Sequence, residues 1–201
     1  MRRVSLFEST EPDWDVSSTH LVAAEWFVDS VPLDVCLNFV SAYHYSGGGS
    51  NTATFRHGLY RQNGSIWGIA WWMPPTKSAA LATYPEWQSV LSLHRLAIHP
   101  AVPTNGASFL IGRSIRLIRR DKRWKCLVTY ADEGQGHTGA IYRATNWDYI
   151  GTTTAEAQWA DTNGRHISRK AGPKTRTKAD MEALGFTMIG RNRKHKFVKV
   201  L

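Results

Sequence analysis

The chain predicts a mixed α/β fold (α+β in the arrangement of its parts): a mostly antiparallel sheet flanked by helices, with one parallel strand–helix–strand crossover near its middle. Three observations lead there. Two segments, 54–62 and 65–73, flank Asn63-Gly64 and read as a hairpin. An amphipathic helix, apolar at Ala107, Leu110, Ile111, Ser114, Ile115 and Ile118, lies between strand-like runs at 91–98 and 125–131. The 201 residues, 42% hydrophobic and 20% charged, suit one folded core and no disordered or membrane-embedded class.

Taken in order, residues 1–20 are polar, acidic and aperiodic, and are expected to form an arm or an irregular edge element. Ser30 and Pro32 look like the cap and first turn of a helix. Leu33, Leu37 and Val40 continue it at i, i+4 and i+7. It ends at Tyr43-His44-Tyr45-Ser46, with Gly47-Gly48-Gly49 as a flexible stop. The hairpin follows, Asn63-Gly64 being the strongest short signal for a two-residue type I′ turn, and Pro74-Pro75 closes its second strand. The strand at 91–98 is closed by His99-Pro100, and a loop at 101–106 feeds the amphipathic helix, with Arg113, Arg116, Arg120 and Arg123 towards its other side. The run 125–131 is a short buried strand leading into Asp132. Gly134-Gln135-Gly136 then turns into a short helix through Ile141, Tyr142 and Ala144, and 148–154 returns as a strand. After a basic, loop-rich stretch at 166–178, the runs 186–190 and 196–201 look like a closing hairpin. One domain, 1–201, is expected, with the arm at 1–20 and a basic C-terminal extension and hairpin at 161–201.

The net charge of +9 is unevenly placed: 19 of the 25 Lys and Arg follow residue 100, against 8 of the 16 Asp and Glu. Residues 113–125 hold 7 basic side chains and 1 acidic, and residues 161–201 hold 11 and 3. One-sided positive charge is the footprint of a polyanion partner. No apolar run approaches the ~20 residues a spanning helix needs, and no signal-peptide pattern opens the chain, so a cytoplasmic protein is expected. Cys36 and Cys126 read as buried thiols. The eight histidines lack the close spacing of a zinc site; no P-loop and no nucleophile elbow occur.

The chemical centre is the strand ending at Ile98, the turn Asn105-Gly106-Ala107-Ser108 and the helix it opens. A strand end, a Gly-containing turn and a helix N-terminus present unpaired N–H groups and a positive dipole end, which suits a pyrophosphate. This order of elements over residues 33–155 resembles the GNAT acyltransferase superfamily. The resemblance implies a cradle for acetyl-CoA, or a related acyl donor, at Ile98, Asn105, Gly106, Ala107 and Ser108, with Tyr142 facing the thioester sulfur. The turn carries one glycine where the usual phosphate motif of that superfamily has two.

A closer likeness lies in Tyr130-Ala131-Asp132, then Gln135-Gly136-His137-x-Gly139-x-Ile141-Tyr142-x-Ala144-x-Asn146-Trp147-x-Tyr149-x-Gly151. With His44-Tyr45-Ser46, Arg95 on the central strand and the basic ending Lys194-His195-Lys196-Phe197-Val198, this run resembles the phage Mom family. The resemblance implies a GNAT-like enzyme that converts adenine in phage DNA to N6-carbamoylmethyladenine and so evades host restriction, acting in the host cytoplasm. It implies an active site of His44, Tyr45, Asp132 and Tyr142, with iron a further option at His44 and Asp132. By its chemistry His44 could be a base or a ligand, and Asp132 could accept the proton of the adenine amine. Double-stranded DNA would be held by Arg95, Arg165, Arg169, Lys170, Lys174, Lys194 and Lys196, with an acyl or aminoacyl donor as the second partner. An exposed tryptophan near the basic tail could stack on an extruded base. A homodimer is compatible with the sequence, which fixes no oligomeric state. Two other readings stand beside this one: a GNAT N-acetyltransferase acting on a protein, tRNA-linked or small-molecule amine, and a nucleic-acid-binding module on a degenerate acyltransferase fold.

Overall fold

The computed structural model describes residues 11–16, 19–46, 52–171 and 174–201. Its elements, in chain order, begin with β1 (Trp26–Ser30), α1 (Leu33–Tyr43), β2 (Phe55–Arg61), β3 (Ile66–Met73), α2 (Lys77–Leu81) and β4 (Val90–Ile98). Then come α3 (Gly106–Ile118), β5 (Cys126–Asp132), α4 (Ala140–Ala144), β6 (Asp148–Thr152) and β7 (Glu156–Ala160). Three two-residue strands follow, β8 (His166–Ile167), β9 (Lys170–Ala171) and β10 (Lys174–Thr175), and the chain closes with α5 (Lys178–Ala183), β11 (Thr187–Asn192) and β12 (Lys194–Val200). A seven-stranded sheet runs β1-β2-β3-β4-β5-β12-β6. β1–β2, β2–β3 and β3–β4 pair antiparallel and β4–β5 parallel, which is the expected mixed, mostly antiparallel class with its crossover through α3.

The chain forms two compact units. The first comprises the described residues up to Thr129 with Ala140–Asp148 and Phe197–Leu201. Its centre is β3, whose run Ile-Trp-Gly-Ile-Ala-Trp-Trp is buried throughout because helices cover both faces. Successive residues point to opposite faces: Trp71 joins Val35, Cys36, Phe39 and Val40 of α1, while the Trp72 indole donates to Ser114 of α3 across 2.7 Å. α3 buries Leu110, Ile111, Ser114, Ile115 and Ile118, the stripe its periodicity predicts, and Arg113, Arg116, Arg120 and Arg123 are exposed. Each aliphatic side chain so buried contributes about 1.5–3 kcal/mol. Both cysteines are free and buried.

Three local expectations are corrected. Ser30 is the last residue of β1, not a helix cap; Pro32 occupies the N-cap position of α1 and supplies no side-chain bond. The hairpin turns at Asn63-Gly64 without a type I′ geometry: Gly64 has φ +85° and Asn63 does not have positive φ. The Gly64 amide donates to Arg61 O (2.9 Å) and the Arg61 amide to Ser65 O (3.0 Å), giving a three-residue loop with glycine in the left-handed position. The Asn63 side chain accepts from the Ser65 amide instead of taking positive φ itself. Third, β11 and β12 do not form a closing hairpin. β11 pairs with β7, and β12 lies in the large sheet between β5 and β6.

The described part of the expected arm is anchored. Asp13 and Glu25 take Arg61 at 3.0 and 2.6 Å, and Trp14 packs edge-on against Trp26 and Trp67. Residues 1–10, 17–18 and the Gly47-Gly48-Gly49 stop lie outside the described residues.

The second unit comprises Tyr130–Gly139 and Tyr149–Lys196. It holds the three-stranded sheet β11-β7-β8 and the ribbon β10-β9. The one-turn-and-a-half helix α5 starts with a Thr177/Asp180 capping box and buries Met181, and Trp159 of β7 is also buried. No described helix is long and apolar enough to cross a membrane.

Candidate functional site

The site of the first unit begins where a ladder stops. β4 and β5 pair only as Val90↔Cys126, Leu91↔Leu127 and Ser92↔Val128. One step on, the Thr129 hydroxyl donates to Leu93 O at 3.3 Å. On the other side of β4 the register slips between Trp71 and Trp72, leaving His94 as the extra residue, so Arg95 is re-aimed at this point.

α4 brings Tyr142 here. The helix is short, and its end is fixed by the Lys199 ammonium, which donates to Thr145 O (3.2 Å) and Asn146 O (2.6 Å). Asn146 takes φ +58° as the helix stops. Tyr142 packs against Phe197 and Trp147 (5.2 and 5.8 Å between ring centres). Its side chain is hydrogen-bonded to Thr129, and burial raises its pKa, so the phenol stays protonated at neutral pH.

Tyr45 ties the remaining residues together. It is 54% exposed, and its hydroxyl acts electrostatically on both Arg95 and Tyr142. Burial lowers the pKa of Arg95, whose guanidinium also donates to His94 O at 2.8 Å. The His44 ring stacks on Tyr45 at 4.4 Å. The Ser46 amide donates to His44 Nδ1 (3.1 Å), and the Ser46 hydroxyl lies 2.9 Å from the same nitrogen. Nδ1 is therefore the acceptor, and a neutral His44 carries its proton on Nε2: the ring offers a donor.

At the turn where an anion cradle is expected, the Asn105 and Ser108 side chains are spent on local contacts. α3 starts at Gly106, whose amide donates to Pro103 O. A Cβ at Gly106 would overlap Val102, so this glycine serves packing. The Asn105 side chain does not cap the helix but accepts from the Leu21 amide at 2.8 Å. Ser108 donates to Asn105 O. Phe109 is the first residue to bond back along the helix, which leaves the amides of Ala107 and Ser108 as donors at the positive end. Ile98, half-buried, ends β4 opposite Gly68.

Asp132 belongs to the second unit. It is 7% exposed and accepts from the Gly134 amide at 3.0 Å. The Glu133 amide donates to Arg193 O, and a Cβ at Gly134 would collide with the Asn192 side chain. The turn is thus clamped to the β11–β12 connection. Of the expected phosphate contacts, Lys170 and Lys174 sit exposed on the β9–β10 ribbon. Arg165 pairs with Asp161 at 3.3 Å, Arg169 donates to Arg176 O, and Lys194 and Lys196 are half-buried on β12. Among the described residues no three of His, Cys, Asp and Glu gather as a metal site, so iron at His44 and Asp132 has no support there.

Sequence reasoning missed Thr129, whose only signal was its place in the strand leading to Asp132. It also missed a Tyr149–His195–Glu133 group, and its stacking tryptophan is corrected: all nine tryptophans are buried or half-buried. Among the described residues the exposed Phe and Tyr rings are Phe27, Tyr43, Tyr45 and Tyr149.

The Mom protein family matches residues 25–200. Methylcarbamoylase mom of Escherichia phage Mu is 24% identical over 132 residues, 62% of this chain and 53% of that protein, so the match spans about half the length of that relative. An N-acetyltransferase from Staphylococcus aureus Mu50 superposes with a TM-score of 0.52 at 14% identity, over 87% of this chain and 98% of that one. A protein of Salmonella typhimurium, described as an acetyltransferase and solved with its cofactor acetyl-CoA, gives 0.51 at 11%, over 88% and 94%. At these identities the likeness is one of fold, and the fold is GNAT-like.

Proposed function

The chain belongs to the Mom protein family, and on that footing we propose that it is a DNA-modifying transferase that converts adenine to N6-carbamoylmethyladenine, protecting phage DNA from host restriction. The observation that carries this reading is the family match over residues 25–200.

The residues present fit an acyl-CoA donor. The Ala107 and Ser108 amides at the start of the thirteen-residue α3 would take its phosphates, and the arm would lie beyond Ser92↔Val128, where the β4–β5 ladder ends. When bound, the donor would supply an activated acyl carbon and a thiolate leaving group. An acetyl donor would give an N6-acetyl adenine, whereas a glycyl donor would give an isomer of N6-carbamoylmethyladenine, so the proposed product calls for a donor of the aminoacyl class and a following isomerisation. Tyr142, neutral because it is buried, gives its proton to the departing sulfur. The Nε2–H of His44 and the guanidinium of Arg95 stabilise negative charge on the acceptor side, and Tyr45 positions both. The Asp132 carboxylate accepts the proton lost from the adenine amine, and the Gly134 amide holds it in place. Arg165, Arg169, Lys170, Lys174, Lys194 and Lys196 hold the duplex through its phosphates. Iron has no support among the described residues.

The test is release of free thiol from acetyl-CoA by the purified full chain, with plasmid DNA or with small amines and peptides as acceptor. DNA-dependent release is expected. Release with amines but not with DNA would favour the N-acetyltransferase reading, which the GNAT-like fold motivates.

A further inference from the structure

α3, in the first unit, carries a surface that the proposed reaction leaves unused. On the side turned away from its buried stripe, Arg113, Arg116, Arg119 and Arg120 are all exposed. Their spacing, i, i+3, i+6 and i+7, gathers them on one side of a helix. The helical path carries past Ile118: the Arg119 amide donates to Ile115 O at 3.0 Å and the Arg120 amide to Leu117 O at 3.2 Å. Lys122 and Arg123, also exposed, continue the row on the turn that follows. That turn is fixed by the Asp121 carboxylate, which accepts from the Arg123 amide at 3.0 Å. The row is partly held in place by rings, Arg113 lying over Phe109 and Arg123 over Trp124, 5.1 and 4.2 Å from their centres.

The charge of this row is poorly neutralised. α3 has no Asp or Glu anywhere along its length. Asp121, 4.0 Å from Arg123, is the single acidic residue between positions 113 and 125. Arg116, Arg119, Arg120 and Lys122 have no acidic partner among the described residues. Like charges three and four positions apart repel, and a helix face that merely meets water intersperses the two signs. The helix dipole favours cations in the last turn, which accounts for Arg116 and Arg119 but not for Arg113, Lys122 or Arg123.

A polyanion would relieve that repulsion, and duplex DNA fits best. From Arg113 to Arg120 the helix rises about 10 Å, over which one strand of a duplex rises by about three phosphates. Most of the row is arginine, whose planar fork takes phosphate oxygens two at a time. An anionic membrane suits it less. An interfacial helix inserts an apolar face, and that of α3 is already committed to the core through Leu110, Ile111, Ile115 and Ile118.

We propose that the arginine face of α3, from Arg113 to Arg120 with Lys122 and Arg123, is a phosphate-tracking surface that holds duplex DNA independently of base sequence. The proposal rests on the DNA-modification reading and adds a contact surface in the first unit to the cations already named in the second.

Binding of a labelled duplex of random sequence to the full chain is followed by fluorescence anisotropy over a range of salt. Arg116→Gln and Arg120→Gln are each expected to lower the slope of log affinity against log salt by about 0.9, and to weaken binding roughly 3- to 8-fold at moderate salt. Together they should lower the slope by about 1.8. The thermal midpoint of the double variant should hold or rise, because repulsion along the helix is relieved, so lost binding is separable from lost fold. Arg116→Lys keeps a charge there and should keep the slope. Lys77→Gln removes an exposed cation of the same unit that lies over the Trp87 ring, and it should leave the slope nearly unchanged. Wild-type affinity and slope in the double variant, or an equal drop with Lys77→Gln, would overturn the surface. So would a defect of the double variant confined to vesicles of anionic phospholipid, with duplex binding intact. Absence of duplex binding by the wild-type chain at low salt would instead sink the DNA reading on which the surface rests.

Discussion

The Thr129 hydroxyl donates to the Leu93 carbonyl at 3.3 Å, one position beyond Ser92↔Val128, the last pair of the parallel ladder. A side chain thus closes the rung at which the backbones cease to pair, and the same oxygen is left to accept from the Tyr142 phenol. Thr129→Val keeps the shape and removes both bonds, leaving a carbonyl and a phenol without their partner. We expect a loss of about 1–3 kcal/mol in urea unfolding, with a drop in turnover larger than the drop in donor affinity.

His57 Nδ1 lies 2.6 Å from the Ser114 hydroxyl, which also takes the Trp72 indole at 2.7 Å. Burial lowers the pKa of His57 from 6.5 to about 4. The unfolded chain therefore binds this proton first as the pH falls. The stability tied to a neutral His57 is complete above pH 6.5 and is lost between 6.5 and 4, in total about 3 kcal/mol. Denaturation at pH 7.5, 5.5 and 4.5 should show that loss in the wild type and a flatter profile in His57→Gln. Equal profiles would contradict it.

Arg61 joins Asp13 and Glu25 and lies over the rings of Trp14 and Trp26, 5.4 and 5.0 Å from their centres. Arg61→Met keeps the apolar stem and loses the charge-assisted bonds. It should cost about 1–3 kcal/mol and speed chymotryptic cleavage beside Trp14.

The Asn105 side chain spends its oxygen on the Leu21 amide. Asn105→Ala should therefore lower the thermal midpoint, at a cost of about 1 kcal/mol, with the affinity for acetyl-CoA unchanged. A loss of donor affinity with an unchanged midpoint would mean that Asn105 contacts phosphate directly.

What the sequence discloses follows from the range of each interaction. α1 and α3 are legible because their apolar spacing is local, and β4 because its run is bounded by His99-Pro100. Asn63-Gly64 marks the turn correctly, but its type depends on which residue takes positive φ, and Asn63 uses its side chain instead. β11 and β12 are recognisable as strands, whereas their partners are not, since pairing β11 with β7 joins residues some thirty positions apart. β1 and β7 are short and carry no alternation. In the site, Tyr142, Tyr45 and Arg95 stand in the family pattern, and the structure places Arg95 and Tyr142 each within electrostatic reach of Tyr45. Thr129, and the His195–Glu133 pair behind Tyr149, have meaning only once distant strands are side by side.

The central claim is tested most directly by mass spectrometry of nucleosides digested from plasmid DNA after expression of the wild type, Tyr142→Phe and Asp132→Ala in phage-permissive bacteria. The account predicts a deoxyadenosine bearing a carbamoylmethyl group in place of one hydrogen in the wild type, absent with Asp132→Ala, and reduced by roughly 10²-fold or more with Tyr142→Phe. Unmodified deoxyadenosine in all three, with the wild-type protein folded and bound to DNA, would contradict it.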